Sequence, residues 1–135
     1  MGNVGINYLK GNNVKIAIPT DNKGGLSDIV YNHFGMAPTY TIVDIVENKI
    51  KKIEIIKNIS DHFGGSESPV ELLLKNNVGI VICSNLGPRA MEILTCQGFD
   101  LFFTKREKVQ DVLDNYIKGN LERFSGEKTS CSPSP

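Results

Sequence analysis

The sequence predicts an α/β domain on a mixed five-stranded sheet of order 3-2-1-4-5, with strand two antiparallel to the others. Three observations predict it. Two β-prone runs, Thr39–Val46 and Ile50–Lys57, are separated only by the turn Glu47-Asn48-Lys49, the spacing of a tight hairpin. Beyond residue 68 the pattern changes to alternating helix and strand, which builds parallel pairs. Gly79–Cys83 is a continuous apolar run, as a strand buried on both faces requires.

The elements follow in chain order. Val14–Pro19 is a short β-prone run that ends in turn residues, Thr20-Asp21-Asn22-Lys23-Gly24-Gly25. In the second arm of the hairpin, Ile53 and Ile55 share one face, while Lys52 and Glu54 break the apolar run. Ser68-Pro69-Val70-Glu71 is a capping box with proline at the first helical position, and its helix runs to about Asn76. Gly87-Pro88 opens the next helix and Gly98 closes it. Asp100–Thr104 is the last strand. Thr104 and Glu107 read as a second capping box. Val109, Val112, Leu113, Tyr116 and Ile117 then form a helical core stripe, closed by Gly119. Right-handed crossovers set strands four and five parallel to strand one, which completes a ribonuclease H-like three-layer arrangement. The domain spans 14–124. Residues 1–13, rich in Gly and Asn, read as a flexible extension, and the Ser/Pro-rich residues 125–135 as a disordered tail.

Composition excludes several classes of function. Lys+Arg and Asp+Glu both number 15, so the net charge is 0 and the chain lacks the cationic excess of a nucleic-acid binder. Its apolar runs are strand-sized, so none is expected to span a membrane, and the start lacks the apolar core of a signal peptide. The cytoplasm is the expected compartment. The three cysteines, Cys83, Cys96 and Cys131, are odd in number and form no CxxC pair. Neither a disulfide framework nor a structural zinc site is expected of them. Cys96 reads as a packing residue and Cys131 as incidental.

This topology brings the polar residues to one edge. Strands one, three, four and five run the same way, and strand two starts where strand one ends. The loops at 20–25, 33–38, 58–68, 83–87 and 104–107 therefore share the edge at which open α/β sheets hold ligands. His33-Phe34-Gly35 reads either as a metal or anion ligand beside a turn, or as a surface or capping histidine. The run Ser84-Asn85-Leu86-Gly87-Pro88-Arg89 is a strand-to-helix loop, suited to an anion or simply a helix start. It lacks the phosphate-binding GxxxxGK[ST] pattern. Cys83 is either a thiolate ligand for iron or a small core residue. His62-Phe63-Gly64-Gly65-Ser66 reads as a second ligand arm or a plain connection. No carboxylate cluster of the nuclease kind forms, since strand one carries none.

Taken together, Ile16-Ala17-Ile18-Pro19-Thr20-Asp21, Leu26-Ser27, His33-Phe34-Gly35 with Ala37-Pro38, and Ile42-Val43-Asp44 resemble the dinitrogenase iron–molybdenum cofactor biosynthesis family. Val78-Gly79-Ile80-Val81-Ile82, Gly87-Pro88-Arg89-Ala90 and Gly98-Phe99-Asp100 extend the likeness over about Val14–Phe124. The resemblance implies a ribonuclease H-like fold and a non-catalytic carrier or scaffold of an iron–sulfur or iron–molybdenum-type cofactor. It makes His33 the expected ligand and puts Gly87 and Arg89 in the same pocket. Ser84, Asn85, Thr20 and Asp21 join the candidate cofactor contacts, and His33, Cys83 and His62 the candidate metal ligands. Metallocluster assembly proteins are the expected partners. At Met36 many relatives carry a basic residue. The alternative is a regulatory or interaction module that binds a small anion or a protein partner and holds no cluster.

Overall fold

The structure is a computed structural model and describes residues 13–58 and 68–124. His62, Cys131, residues 1–12 and the tail 125–135 lie outside the described residues. Among the described residues, six strands form one sheet of order β3-β2-β1-β4-β5-β6. β1 (Asn13–Thr20) is central, paired antiparallel with β2 (Thr39–Val46) along its whole length and parallel with β4 (Ile80–Cys83). β3 (Lys49–Lys57) is antiparallel to β2, and β5 (Asp100–Phe103) is parallel to β4. The order expected for the first five strands is therefore present.

The expectation of five strands is corrected by β6 (Glu122–Arg123), which lies antiparallel to β5 at the sheet edge. Two exposed polar residues carry no hydrophobic period, so sequence patterning could not show them as a strand. Backbone pairing with Phe102 and Phe103 makes the strand. The Arg123 guanidinium, 2.8 Å from the Asp100 carboxylate, and the Phe124 N–H donating to the Leu101 carbonyl at 2.9 Å add to it.

Local chemistry explains most boundaries. Glu47 and Asn48 both take left-handed φ, 54° and 65°, which gives the hairpin a two-residue turn matched to strand twist. α1 (Pro69–Lys75) opens on the expected capping box: the Glu71 N–H donates to Ser68 Oγ at 3.2 Å, and the Ser68 N–H to Glu71 Oε1 at 3.0 Å. α2 (Pro88–Cys96) starts at Gly87-Pro88, and the chain leaves it through Gly98 at φ 93°. α3 (Val109–Ile117) is where the second expected capping box fails. Its N-cap is Lys108, with no side-chain cap, so Thr104 and Glu107 do not cap it. The segment after β1 replaces the cap. The Val109 and Gln110 N–H groups donate to the Asp28 and Leu26 carbonyls at 2.9 and 3.0 Å, and the Glu107 carbonyl accepts from Val30.

Side chains alternate along each strand and fill two cores. On one face Ala17, Tyr40, Ile42, Val81 and Cys83 pack with Leu73 of α1 and Leu94 of α2. On the other, Ile16, Ile18, Val43, Ile45 and Ile82 pack beneath Val109, Val112 and Leu113 of α3. Helices thus cover both faces of the sheet. Among the described residues, no helix is long and apolar enough to cross a membrane.

Candidate functional site

The site lies where β1 and β4 end and β2 begins. Three buried hydroxyls close this end of the sheet. Thr20 Oγ1 donates to the Thr39 carbonyl at 3.1 Å and lies 2.6 Å from Thr39 Oγ1 and 3.1 Å from Thr41 Oγ1. Thr39 Oγ1 donates to the Asn22 carbonyl at 3.0 Å, and Thr41 Oγ1 accepts from the Gly25 N–H at 3.0 Å. The network pins the turn after β1 to β2. Gly24, at φ 87°, passes so close to Ile55 and Thr41 that a Cβ would meet Ile55 Cγ2 at 2.9 Å.

Asp28 organises the same turn. Its Oδ2 accepts from the N–H groups of Asn22 and Gly24 at 2.8 and 2.7 Å, and its Oδ1 accepts from the Ile29 N–H at 2.7 Å. Arg106 reaches over from the β5–α3 loop. Its Nε donates to the Val30 carbonyl at 3.1 Å, and its Nη2 lies 3.4 Å from Asp21 Oδ2. Asp21 therefore sits at the rim in an ion pair, while the Thr20 hydroxyl points inward.

His33 stands at the head of a short 3-10 turn, Phe34–Met36. The turn is held from below: Phe34 is buried against Tyr40, ring centres 5.4 Å apart, and the Tyr40 hydroxyl donates to the Phe34 carbonyl. Burial pushes the Tyr40 pKa up, which keeps that donor protonated. The His33 side chain is exposed. Among the described residues its imidazole makes no hydrogen bond, and its ring meets only the edge of Tyr31 at 6.4 Å.

The β4–α2 loop comes next to this turn: Ser84 Oγ donates to Asn32 Oδ1 at 3.4 Å, one residue before His33. Asn85, Gly87 and Arg89 are exposed along the loop and the first turn of α2. Gly87 supplies no side-chain cap and Pro88 no N–H, so the Arg89 and Ala90 N–H groups have no intrahelical acceptor. An apolar groove of about 490 Å³ opens beside the turn, lined by Phe34, Gly35, Pro69, Leu74, Ala90 and Ile93.

Of the expected residues, the structure brings His33, Ser84, Asn85, Gly87 and Arg89 to one edge, with Asp21 at its rim. Cys83 is at the same strand end but fully buried, and burial pushes its thiol up to about 12. At neutral pH it is a protonated core thiol. Among the described residues, no three His, Cys, Asp or Glu side chains gather to hold a bare metal ion. Sequence reading missed Asp28, Arg106, Tyr40 and the pair Thr39 and Thr41. Asp28 close after Gly24-Gly25 is a turn signal that was available; the others are set by long-range contacts.

Loops gathered over the carboxyl ends of parallel strands, the edge at which open α/β sheets commonly hold ligands, make this an α/β domain of the open-sheet class. The chain belongs to the dinitrogenase iron–molybdenum cofactor family, whose sequence profile matches residues 13–119. It is 29% identical over 118 residues to the uncharacterised protein MJ0580 of Methanocaldococcus jannaschii, covering 86% of this chain and 96% of that one. Among solved structures, a Thermotoga protein provisionally named a NifB protein is 29% identical at a TM-score of 0.67, covering 84% of this chain and 98% of its own. The apo form of the orange protein from Desulfovibrio gigas shares the fold at a TM-score of 0.68 with 20% identity, over 83% of this chain and 93% of that one.

Proposed function

We propose that this domain is a non-catalytic cytoplasmic carrier or scaffold for a preformed iron–sulfur or iron–molybdenum-type cluster, passed between metallocluster assembly proteins. The observation that carries the reading is His33, an exposed imidazole without a hydrogen-bond partner among the described residues, on a turn whose backbone is fixed from below. Membership of the family supports the class of cargo. Imidazole is a competent iron ligand. In loading, one iron–thiolate bond of the incoming cluster breaks, an iron–nitrogen bond to His33 forms, and the thiolate leaves with its charge.

The rest of the edge suits an anionic cargo better than a bare cation. Ser84, Asn85 and the N–H groups after Gly87 offer donors, and Arg89 offers positive charge. Thr20 acts at the root of the site by fixing the turn, and Asp21 at its rim by holding Arg106. His62 is the second ligand arm in this reading. Cys83 serves as a ligand only if the end of β4 opens, since its thiol is buried and protonated. A sparse ligand set suits a carrier, which has to release what it holds.

Anaerobic titration with a preformed synthetic cubane iron–sulfur thiolate cluster tests the reading. Charge-transfer absorbance should travel with the protein through gel filtration; protein emerging without it sinks the proposal. The second reading, a module that binds a small anion or a protein partner, draws on the apolar groove, where Leu74 and Ile93 are each 41% exposed. Native mass spectrometry of the protein from its own host separates the two: a bound protein without metal or sulfide favours the module.

A further inference from the structure

One side chain ties the His33 turn to the far end of the hairpin. Asn58 follows directly on β3. Its Nδ2 donates to the Gly35 carbonyl at 3.2 Å and to the Ala37 carbonyl at 2.9 Å, and lies 3.4 Å from the Tyr40 hydroxyl. Its own N–H donates to the Pro38 carbonyl at 3.1 Å. With the Tyr40 hydroxyl on the Phe34 carbonyl, all but one of the carbonyls from Phe34 to Pro38 are held by these two residues. The exception, Met36, lies in the turn whose N–H bonds back to the His33 carbonyl at 3.1 Å.

We infer that Asn58 is a positioning residue for His33: it never touches the ligand, but it fixes the turn that presents the imidazole. The inference rests on the carrier reading for its consequence, though not for its geometry. The β2–β3 ladder fixes Thr39 against Lys57, but the 33–37 turn lies beyond its last pair, where side-chain bonds set its spacing from β3. A carboxamide suits the position because its NH2 group offers two donors to two carbonyls that would otherwise face each other unpaired. A ligand held in place before binding loses less freedom on binding, so the effect belongs in cluster retention.

The substitution Asn58→Asp keeps the shape and replaces both donors with oxygen facing oxygen. Asn58→Ser, which removes the amide and the new charge together, is the companion variant should the first not fold. The test is release of the synthetic cubane cluster to an excess chelator under anaerobic conditions, with His33→Ala as the cluster-free blank. Release from the Asn58 variant should be about tenfold faster than from wild type, the scale of losing one or two net hydrogen bonds of preorganisation. Unchanged release, or release that speeds only as the melting temperature falls, overturns the inference. If wild type takes up no cluster, the carrier reading fails and the positioning claim is judged on the cluster-free protein by NMR. There the His33 ring signals and the amide exchange of Gly35 and Met36 should move in the Asn58 variant, with the α3 amides unchanged; stationary signals overturn it.

Discussion

Beneath α3 the sheet is filled by Ile16, Ile18, Val43, Ile45 and Ile82, side chains that require only volume and shape from their neighbours. At the carboxyl end of β1 the same sheet is closed by Thr20, Thr39 and Thr41, hydroxyls that require partners at fixed distances. The first region is held by burial without direction, the second by hydrogen bonds with direction. A loop edge that presents a ligand needs the second kind, because apolar packing alone leaves the loop backbone free to choose among conformations. The difference also sets how each region should fail when altered.

The largest effect belongs to the aliphatic side. Val112 is fully buried on the sheet-facing side of α3, and Val112→Asp would place an unpaired charge there, costing on the order of several kcal/mol. The protein should fail to give a cooperative thermal melt. A near-wild-type melt would show that the α3 face is not the one that packs.

Cys83, on the opposite face of the sheet, should next show itself at alkaline pH. Its thiol is raised from an ordinary 9.0 to about 12 in the fold, so the native state holds this proton more tightly than the unfolded chain. That contribution to stability is complete below about 9 and is lost as pH climbs from there towards 12. Denaturant midpoints measured at rising alkaline pH should fall in wild type and fall less steeply in Cys83→Ala. Equal slopes would mean that Cys83 is hydrated in solution.

The directional region should respond to loss of a single oxygen. Thr41→Val keeps the volume but strips the acceptor from the Gly25 N–H and a neighbour from Thr20 Oγ1, which should cost about 1–3 kcal/mol in urea unfolding. A neutral result would erase the contrast between the two regions. The rim should matter least. The Asp21–Arg106 pair is partly exposed, and Asp21→Asn should shift stability by less than about 1 kcal/mol, with that shift shrinking in high salt. A larger, salt-insensitive loss would move Asp21 into the directional network.

The same contrast explains what the sequence made legible. The hairpin from Thr39 to Lys57, the Ser68 capping box and the stripe Val109–Ile117 are local: period, turn residues and caps sit next to one another in the chain. β6 was missed because its two polar residues have no period and depend on β5. The Thr104–Glu107 capping box failed because its pattern is local while the real cap of α3 comes from Leu26 and Asp28, some eighty residues back. The candidate site was legible as an edge, since strand direction alone brings His33 and the Ser84–Arg89 loop together. It was not legible as a set of roles. That the Thr20 hydroxyl turns inward and that Tyr40 and Asn58 hold the His33 turn are both decided by contacts between distant segments.

Metal and acid-labile sulfide analysis of anaerobically purified protein, wild type beside His33→Ala, tests whether this edge holds a metal–sulfur cluster through His33. Wild type should carry iron, with or without molybdenum, and sulfide in near-stoichiometric amounts, and both should be lost from a variant that melts like wild type, because an exposed loop side chain adds little to the core. Wild-type protein free of metal and sulfide, or a His33→Ala variant that keeps both, would contradict it.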